Sequence, residues 1–229
     1  MEIGDILLKA RTEGRNSLLY TEAQKLLDIW GIPVVQSKLA SDKNGAIQSA
    51  RTIGFPVVMK ILSPDMVHKS DAGGVIIDLR TEEEVARAFD QMMENFGKMK
   101  SMIKIEGLVI EKMLSGFEVI IGTTKDPQFG HVLMFGMGGV FVELLKDTSF
   151  RLVPIELIDA EEMIRELKGY SLLEGCRGKR GNIDSLRDLL FKVSNLIFHY
   201  PEITEMDLNP VMISLSGSIV VDARITTGG

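Results

Sequence analysis

The periodicities of this chain predict an α+β fold of two lobes, and three observations carry that reading. Segments with apolar residues at helical spacing alternate with short runs rich in Val and Ile. Two pairs of such runs are near neighbours in sequence, as in β-hairpins: Val57–Lys60 with Val75–Ile77, and Glu205–Ser214 with Ser218–Ile225. Near residue 113 the succession of elements restarts with its own strands and helices, which divides the chain into lobes of 1–113 and 114–229.

In the first lobe, Ile3, Ile6, Leu7 and Ala10 mark a short leading helix. Thr21 with Gln24 forms a capping box for a second helix that turns Ala23, Leu26, Leu27 and Trp30 one way and stops at Gly31 and Pro33. Val34–Leu39 reads as a strand. Ser41 caps a helix carrying Ala46, Ile47, Ala50 and Ile53, closed by Gly54 and Pro56. The first hairpin follows, then a helix opened by Thr81 and Glu84 with Val85, Phe89, Met92, Met93 and Phe96 inward, and a strand over Ile103–Met113. The second lobe has strands at Glu118–Thr124 and Val132–Phe135, a glycine-rich turn at Gly136–Gly139, a helix capped by Asp159, and a longer helix from about Ser185 to Tyr200. The second hairpin closes it, turning at Leu215-Ser216-Gly217.

Composition removes several classes of function. A net charge of −6 without a basic run argues against nucleic-acid binding. The single cysteine, Cys176, rules out an internal disulfide and suits a reducing cytoplasm. No apolar stretch reaches the ~18 residues of a membrane helix, and the N-terminus shows no signal-peptide core. The expectation is a cytoplasmic protein with no membrane or nucleic-acid partner.

Chemistry concentrates in the two hairpins. The first places Lys60 at the end of an apolar strand, then His68-Lys69-Ser70-Asp71, then Gly73-Gly74. Ammonium groups and backbone N–H groups made accessible by glycine neutralise and cradle phosphate oxygens. A neutral imidazole among them is a nucleophile able to accept a phosphoryl group, which makes His68 the catalytic candidate; the plain alternative is a solvated polar loop. In the second hairpin, period-2 alternation sends Glu205, Asp207 and Asn209 to one face, with Asp222 on the returning strand. Hard oxygen donors in such a patch suit Mg²⁺. Like charges repel across strands, so acids clustered with no Lys or Arg opposite imply a cation; the alternative is an ordinary solvated acidic face.

Weaker candidates are Glu111 and Met113, whose segment offers backbone groups to an adenine edge, Glu118 just after Ser115-Gly116, and Arg151 as a phosphate contact. His131 and His199 read as structural. Gly136–Gly139 lacks the last glycine of a dinucleotide fingerprint, and no Walker loop occurs.

The strings PVVMKILSPDMVHKSDAGGV, GLVIEKML, GFEVIIG, FGMGG, FRLVPI and EMDLNPV, in this order, resemble the β subunits of archaeal ADP-forming acetyl-CoA synthetases, which are ATP-grasp proteins related to the succinyl-CoA synthetase β subunit. The similarity runs from about Leu18 to Ile225. It implies a two-lobed ATP-grasp fold holding ADP or ATP with Mg²⁺, a separate CoA-binding α subunit in an α2β2 heterotetramer, and ATP formation from acyl-CoA, ADP and phosphate. It also implies that His68 is a phosphohistidine relay and that Lys60 and the Gly73 and Gly74 amides serve phosphoryl groups. Glu111 and Met113 would meet adenine, Glu118 the ribose or adenine region, and Asn209 and Asp222, with Asp207, the metal. The rival readings are a nucleotide-sensing module without chemistry and a ligase subunit for another carboxylic acid.

Overall fold

The computed structural model describes residues 2–63, 73–97, 107–139, 146–175 and 180–228, and its chain separates into two compact units, Val35–Leu114 and a unit made of Met1–Val34 with Ser115–Gly229. His68, Lys69, Ser70 and Asp71 lie outside the described residues.

The contiguous unit, Val35–Leu114, holds a four-stranded antiparallel sheet from β1 (Ser37–Ala40), β2 (Val57–Leu62), β3 (Val75–Leu79) and β4 (Gly107–Lys112), in the order β1-β4-β2-β3. Two helices, α3 (Lys43–Ile53) and α4 (Glu82–Gly97), cover one of its faces. Ala46, Ala50, Val85, Met92 and Phe96 meet Val57, Met59, Ile61, Leu108 and Ile110 in a closed core. Asp42, not Ser41, caps α3: its carboxylate accepts from the Gly45 N–H at 2.8 Å. The Thr81 hydroxyl accepts from the Glu84 N–H at 3.2 Å, as the sequence indicates.

The other unit is built on a six-stranded antiparallel sheet. Its strands are β5 (Phe117–Asp126), β6 (Gly130–Met137), β7 (Thr148–Leu152), β8 (Ile203–Ser214), β9 (Gly217–Val220) and β10 (Ala223–Thr227). The order is β10-β8-β5-β6-β7, with β9 also on β8. One face carries the core, formed with α5 (Leu157–Glu166), α6 (Tyr170–Gly175) and α7 (Ile183–His199). Leu186, Leu189, Leu190, Val193, Leu196 and Ile197 of α7 recur at helical spacing and are all buried.

The leading helices α1 (Ile3–Thr12) and α2 (Tyr20–Ile29) belong to this second core, not to the lobe that the division at 113/114 gave them. Ile3, Ile6, Leu7, Ala23, Leu26, Leu27 and Ile32 share it with β5, β6, β8 and α7. Trp30 fixes the end of α2 by donating from Nε1 to the Lys192 carbonyl at 2.9 Å, and Lys192 Nζ returns a bond to the Gly31 carbonyl at 2.7 Å. α2 is opened by Glu22, whose carboxylate accepts from the Leu19 N–H at 3.0 Å, in place of the expected Thr21–Gln24 pair.

One irregularity positions the candidate site. On β8, Met206 and Leu208 are buried and so are Val211 and Ile213, so the alternation changes phase across Asn209-Pro210. On the returning chain Val220 and Ala223 are buried, and the single strand expected over Ser218–Ile225 is interrupted at Val221-Asp222. Both chains break at the same level: the Asn209 N–H donates to the Asp222 carbonyl at 3.1 Å, and the Val221 N–H to the Pro210 carbonyl at 3.0 Å. Against β5, Ile120 alone faces Asn209 and Pro210, a β-bulge.

Candidate functional site

The candidate residues fall into one group in each unit. In Val35–Leu114, Lys60 and Glu111 sit on neighbouring strands. Glu111 pairs with Val58, two residues from Lys60 along β2, so both project from the sheet face opposite the α3/α4 core. Lys60 Nζ lies 2.7 Å from Glu111 Oε2, and the two side chains are only 9% and 1% exposed. The sequence presents Lys60 as an ammonium open to phosphate; the structure gives it a buried carboxylate partner. Taking two charges out of water costs roughly several kcal/mol for each ion, and their attraction repays this only in good geometry, so the pair by itself is weak evidence of a stabilising role.

The backbone donors expected to meet adenine are engaged inside this unit. The Lys112 N–H donates to the Gln36 carbonyl at 2.9 Å and the Met113 N–H to the Pro56 carbonyl at 3.2 Å. Gly74 extends the first hairpin, its carbonyl accepting from the Ile61 N–H at 2.8 Å. Gly73 turns the chain at φ +72°, which only glycine adopts without strain. The backbone thus assigns Gly73 and Gly74 a turn role; their expected phosphate contact would fall beside residues outside the described set.

In the other unit, the sheet face away from the core gathers Glu118, Asp207 and Asn209. Asp222 is brought level with Asn209 by the interruption described above. Burial pushes the Asp207 carboxyl above the usual aspartate range, the charges of Asp222 and Glu205 add to this, and Arg224 opposes it. The Asp222 carboxylate accepts from the Ala223 N–H at 3.0 Å. Among the described residues no group of three or more His, Cys, Asp or Glu is placed to hold a metal, so the expected cluster of three carboxylates contracts. Glu205 stands one pleat repeat away, opposite Thr226. Asp207, Asp222 and the Asn209 amide oxygen remain. That set fits Mg²⁺, which takes one or two protein carboxylates and completes its shell with waters and phosphate oxygens. The premise that no cation lies opposite the acids is corrected: Arg224 pairs with Asp207 across β10 and β8. The register was legible, since counting back from Ser214 opposite Gly217 brings position 207 to 224.

Arg151 is placed elsewhere. It pairs with Leu133, whose side chain lies in the core, so it projects from the face opposite Asp207. There Glu166 and Glu162 of α5 hold its guanidinium, with Nη1 3.1 Å from a Glu166 oxygen, and Arg151 in turn keeps the Glu166 carboxyl below its usual range. Glu118 is exposed and meets the glycine-rich turn instead: its carbonyl accepts from the Gly138 N–H at 2.7 Å. A Cβ on Gly138 would come within 2.9 Å of Glu118 backbone atoms, so the glycine there permits close approach of two chains. His131 and His199 are structural as read, bonded to the Ile203 carbonyl at 2.9 Å and the Asn195 carbonyl at 2.8 Å. Among the described residues no helix is long and apolar enough to cross a membrane.

Comparison with known proteins extends this picture. The family model described as the ATP-grasp domain matches residues 9–227. The chain is 47% identical over 223 residues to the acetate–CoA ligase (ADP-forming) I subunit beta of Pyrococcus furiosus, covering 96% of each. Among solved structures it matches acetyl-coenzyme A synthetase 1 of Ca. Korarchaeum cryptofilum in complex with coenzyme A, Ca-AMPCP and HgCl+, at TM-score 0.93 and 47% identity, covering 98% of this chain and 99% of the other. The selenomethionine form of that enzyme, with coenzyme A, Mg-AMPPCP and a phosphohistidine segment pointing towards its nucleotide binding site, matches at TM-score 0.86 and 46% identity, covering 99% and 100%.

Proposed function

This chain belongs to the ATP-grasp family and, within it, to the β subunits of ADP-forming acetate–CoA ligases, and on that premise we propose that it is the nucleotide-binding subunit of an ADP-forming acetyl-CoA synthetase. The observation that carries the reading is reciprocal coverage: this chain and the Pyrococcus β subunit account for 96% of one another. The reaction turns acetyl-CoA, phosphate and ADP into acetate, CoA and ATP. The partner is a CoA-binding α subunit, with two copies of each chain in the complex.

In this reading His68 accepts the phosphoryl group from the α subunit on a ring nitrogen and passes it to the terminal oxygen of ADP. The P–N bond formed in the first step is the one broken in the second, so transfer potential is conserved. The Korarchaeum enzyme's phosphohistidine segment pointing towards a nucleotide supports this assignment. Lys60, held in place by Glu111, meets phosphate oxygens. Met113 flanks the adenine with its carbonyl and side chain, Glu111, buried against Lys60, acts through that lysine instead of at the adenine, and Glu118 lies towards the ribose. Asp207, Asn209 and Asp222 hold Mg²⁺, which when bound neutralises charge on the nucleotide phosphates.

The complex given acetyl-CoA and phosphate without ADP should accumulate an acid-labile, base-stable phosphate on this chain. His68→Ala should abolish that label and turnover while leaving ADP affinity nearly unchanged, because the imidazole acts on the transferred group and not on the bound nucleotide. Label surviving in His68→Ala would refute the relay.

A further inference from the structure

We propose that Arg224 is a phosphate-binding residue of the metal-bearing sheet face, contacting the terminal phosphate of the Mg-nucleotide; this rests on the reading of that face as a nucleotide site. Three observations place it there. Arg224 is the direct cross-strand partner of Asp207, and residues so paired project from the same face with their Cβ atoms about 5 Å apart. Its neighbours Ala223 and Ile225 are buried while Arg224 is exposed, so its side chain rises from the non-core face. Among the described residues it closes no ion pair with a carboxylate, although its charge is felt at Asp207. The contrast with Arg151 is direct: that guanidinium is occupied by two glutamates on the other face.

Charge balance gives Arg224 its task. Two carboxylates, Asp207 and Asp222, neutralise the charge of one Mg²⁺, so the metal site as a whole attracts an anion weakly. A nucleoside diphosphate brings about three negative charges at neutral pH. A guanidinium beside the site supplies the missing cation, and its planar fork suits two phosphate oxygens at once. A mere counter-ion of Asp207 predicts the opposite response to its removal. Deleting a positive charge next to two carboxylates strengthens their hold on a bare divalent cation.

The test uses the full chain, titrated by calorimetry with MgADP and separately with Mn²⁺ alone, as wild type, Arg224→Met and Arg224→Lys. Arg224→Met should weaken MgADP binding by roughly tenfold or more, the loss of a charge-assisted hydrogen-bonded contact. It should bind Mn²⁺ alone as tightly as wild type or more tightly, and Arg224→Lys should recover part of the MgADP affinity. MgADP affinity unchanged or improved in Arg224→Met would make Arg224 only a counter-ion and overturn the proposal. MgADP and Mn²⁺ weakening in parallel would show that it merely positions the carboxylates, and would overturn it as well. A wild-type chain that binds no MgADP would instead refute the nucleotide reading of the whole face, a failure separate from that of Arg224.

Discussion

Lys60 and Glu111 set a test at the scale of single residues, because a buried pair and a half-pair have opposite consequences. Glu111→Ala leaves the Lys60 ammonium buried without its carboxylate and should lower unfolding stability by about 3–5 kcal/mol in denaturant titration. The double variant Lys60→Met/Glu111→Leu removes both charges and should be near neutral or more stable, yet lose nucleotide affinity. A double variant as unstable as the single one would make the pair structural. Asp207 offers a second test through pH. Its folded pKa is raised above the unfolded value, so its contribution is present below the ordinary aspartate pKa and is lost as pH rises through the folded value. The apoprotein should therefore lose stability across that window, and Asp207→Asn should abolish this loss. Mg²⁺, which needs the ionised form, should stabilise the wild type increasingly over the same window, and thermal melts with and without Mg²⁺ read both effects. The residue types were visible in the sequence. What it hid was partnership, since pairing Lys60 with Glu111 requires the β2–β4 register across some fifty residues.

Among elements, the long amphipathic helices and both hairpins followed from period alone, whereas helix starts moved by up to three residues because several side chains compete for each cap: α5 is capped at Glu156, and Asp159, expected as the cap, is its third residue and accepts from the Glu156 N–H at 2.7 Å. β7 escaped notice: three of the five positions of Thr148–Leu152 are polar, and as an edge strand it leaves Phe150 and Leu152 exposed where a buried strand would show an apolar run. The turn after β6 had no assigned role from sequence. In the structure Gly138 presses on β5, and Gly138→Ala should cost about 1–3 kcal/mol, the usual penalty of forcing extra volume into a packed site. Gly130→Ala, with nothing near its Cβ but φ +81°, is the contrasting case of strain without collision. Equal, negligible losses in melting temperature for both would show that the β5–β6 approach yields easily.

At the scale of the molecule, the boundary near residue 114 was legible because hydrophobic patterning restarts there, but the allegiance of residues 1–34 was not. Periodicity shows that α1 and α2 have apolar faces and says nothing of which core receives them. Removing residues 1–34 should strip Ile6, Leu26 and Leu27 from the core of the β5–β10 unit and lower its stability. Val35–Leu114, expressed alone, should retain cooperative unfolding on its own core. Loss of cooperativity in the excised unit would refute its independence. The full chain without its α partner should make no ATP from acetyl-CoA, ADP and phosphate; turnover near 1 s⁻¹ or above by the lone chain would refute the subunit assignment.

The interleaving of the two units also has a consequence in time. Residues 1–34 leave the ribosome well before the strands and the helix α7 that cover them. At roughly 5–20 residues per second the wait is about 10–40 s, during which the inserted unit can already fold. For that interval the faces of α1 and α2 carrying Ile3, Ile6, Leu26 and Leu27 stand uncovered on the growing chain. Nascent chains stalled near residue 115 should thus engage a chaperone that recognises apolar helices, and full-length released protein should not.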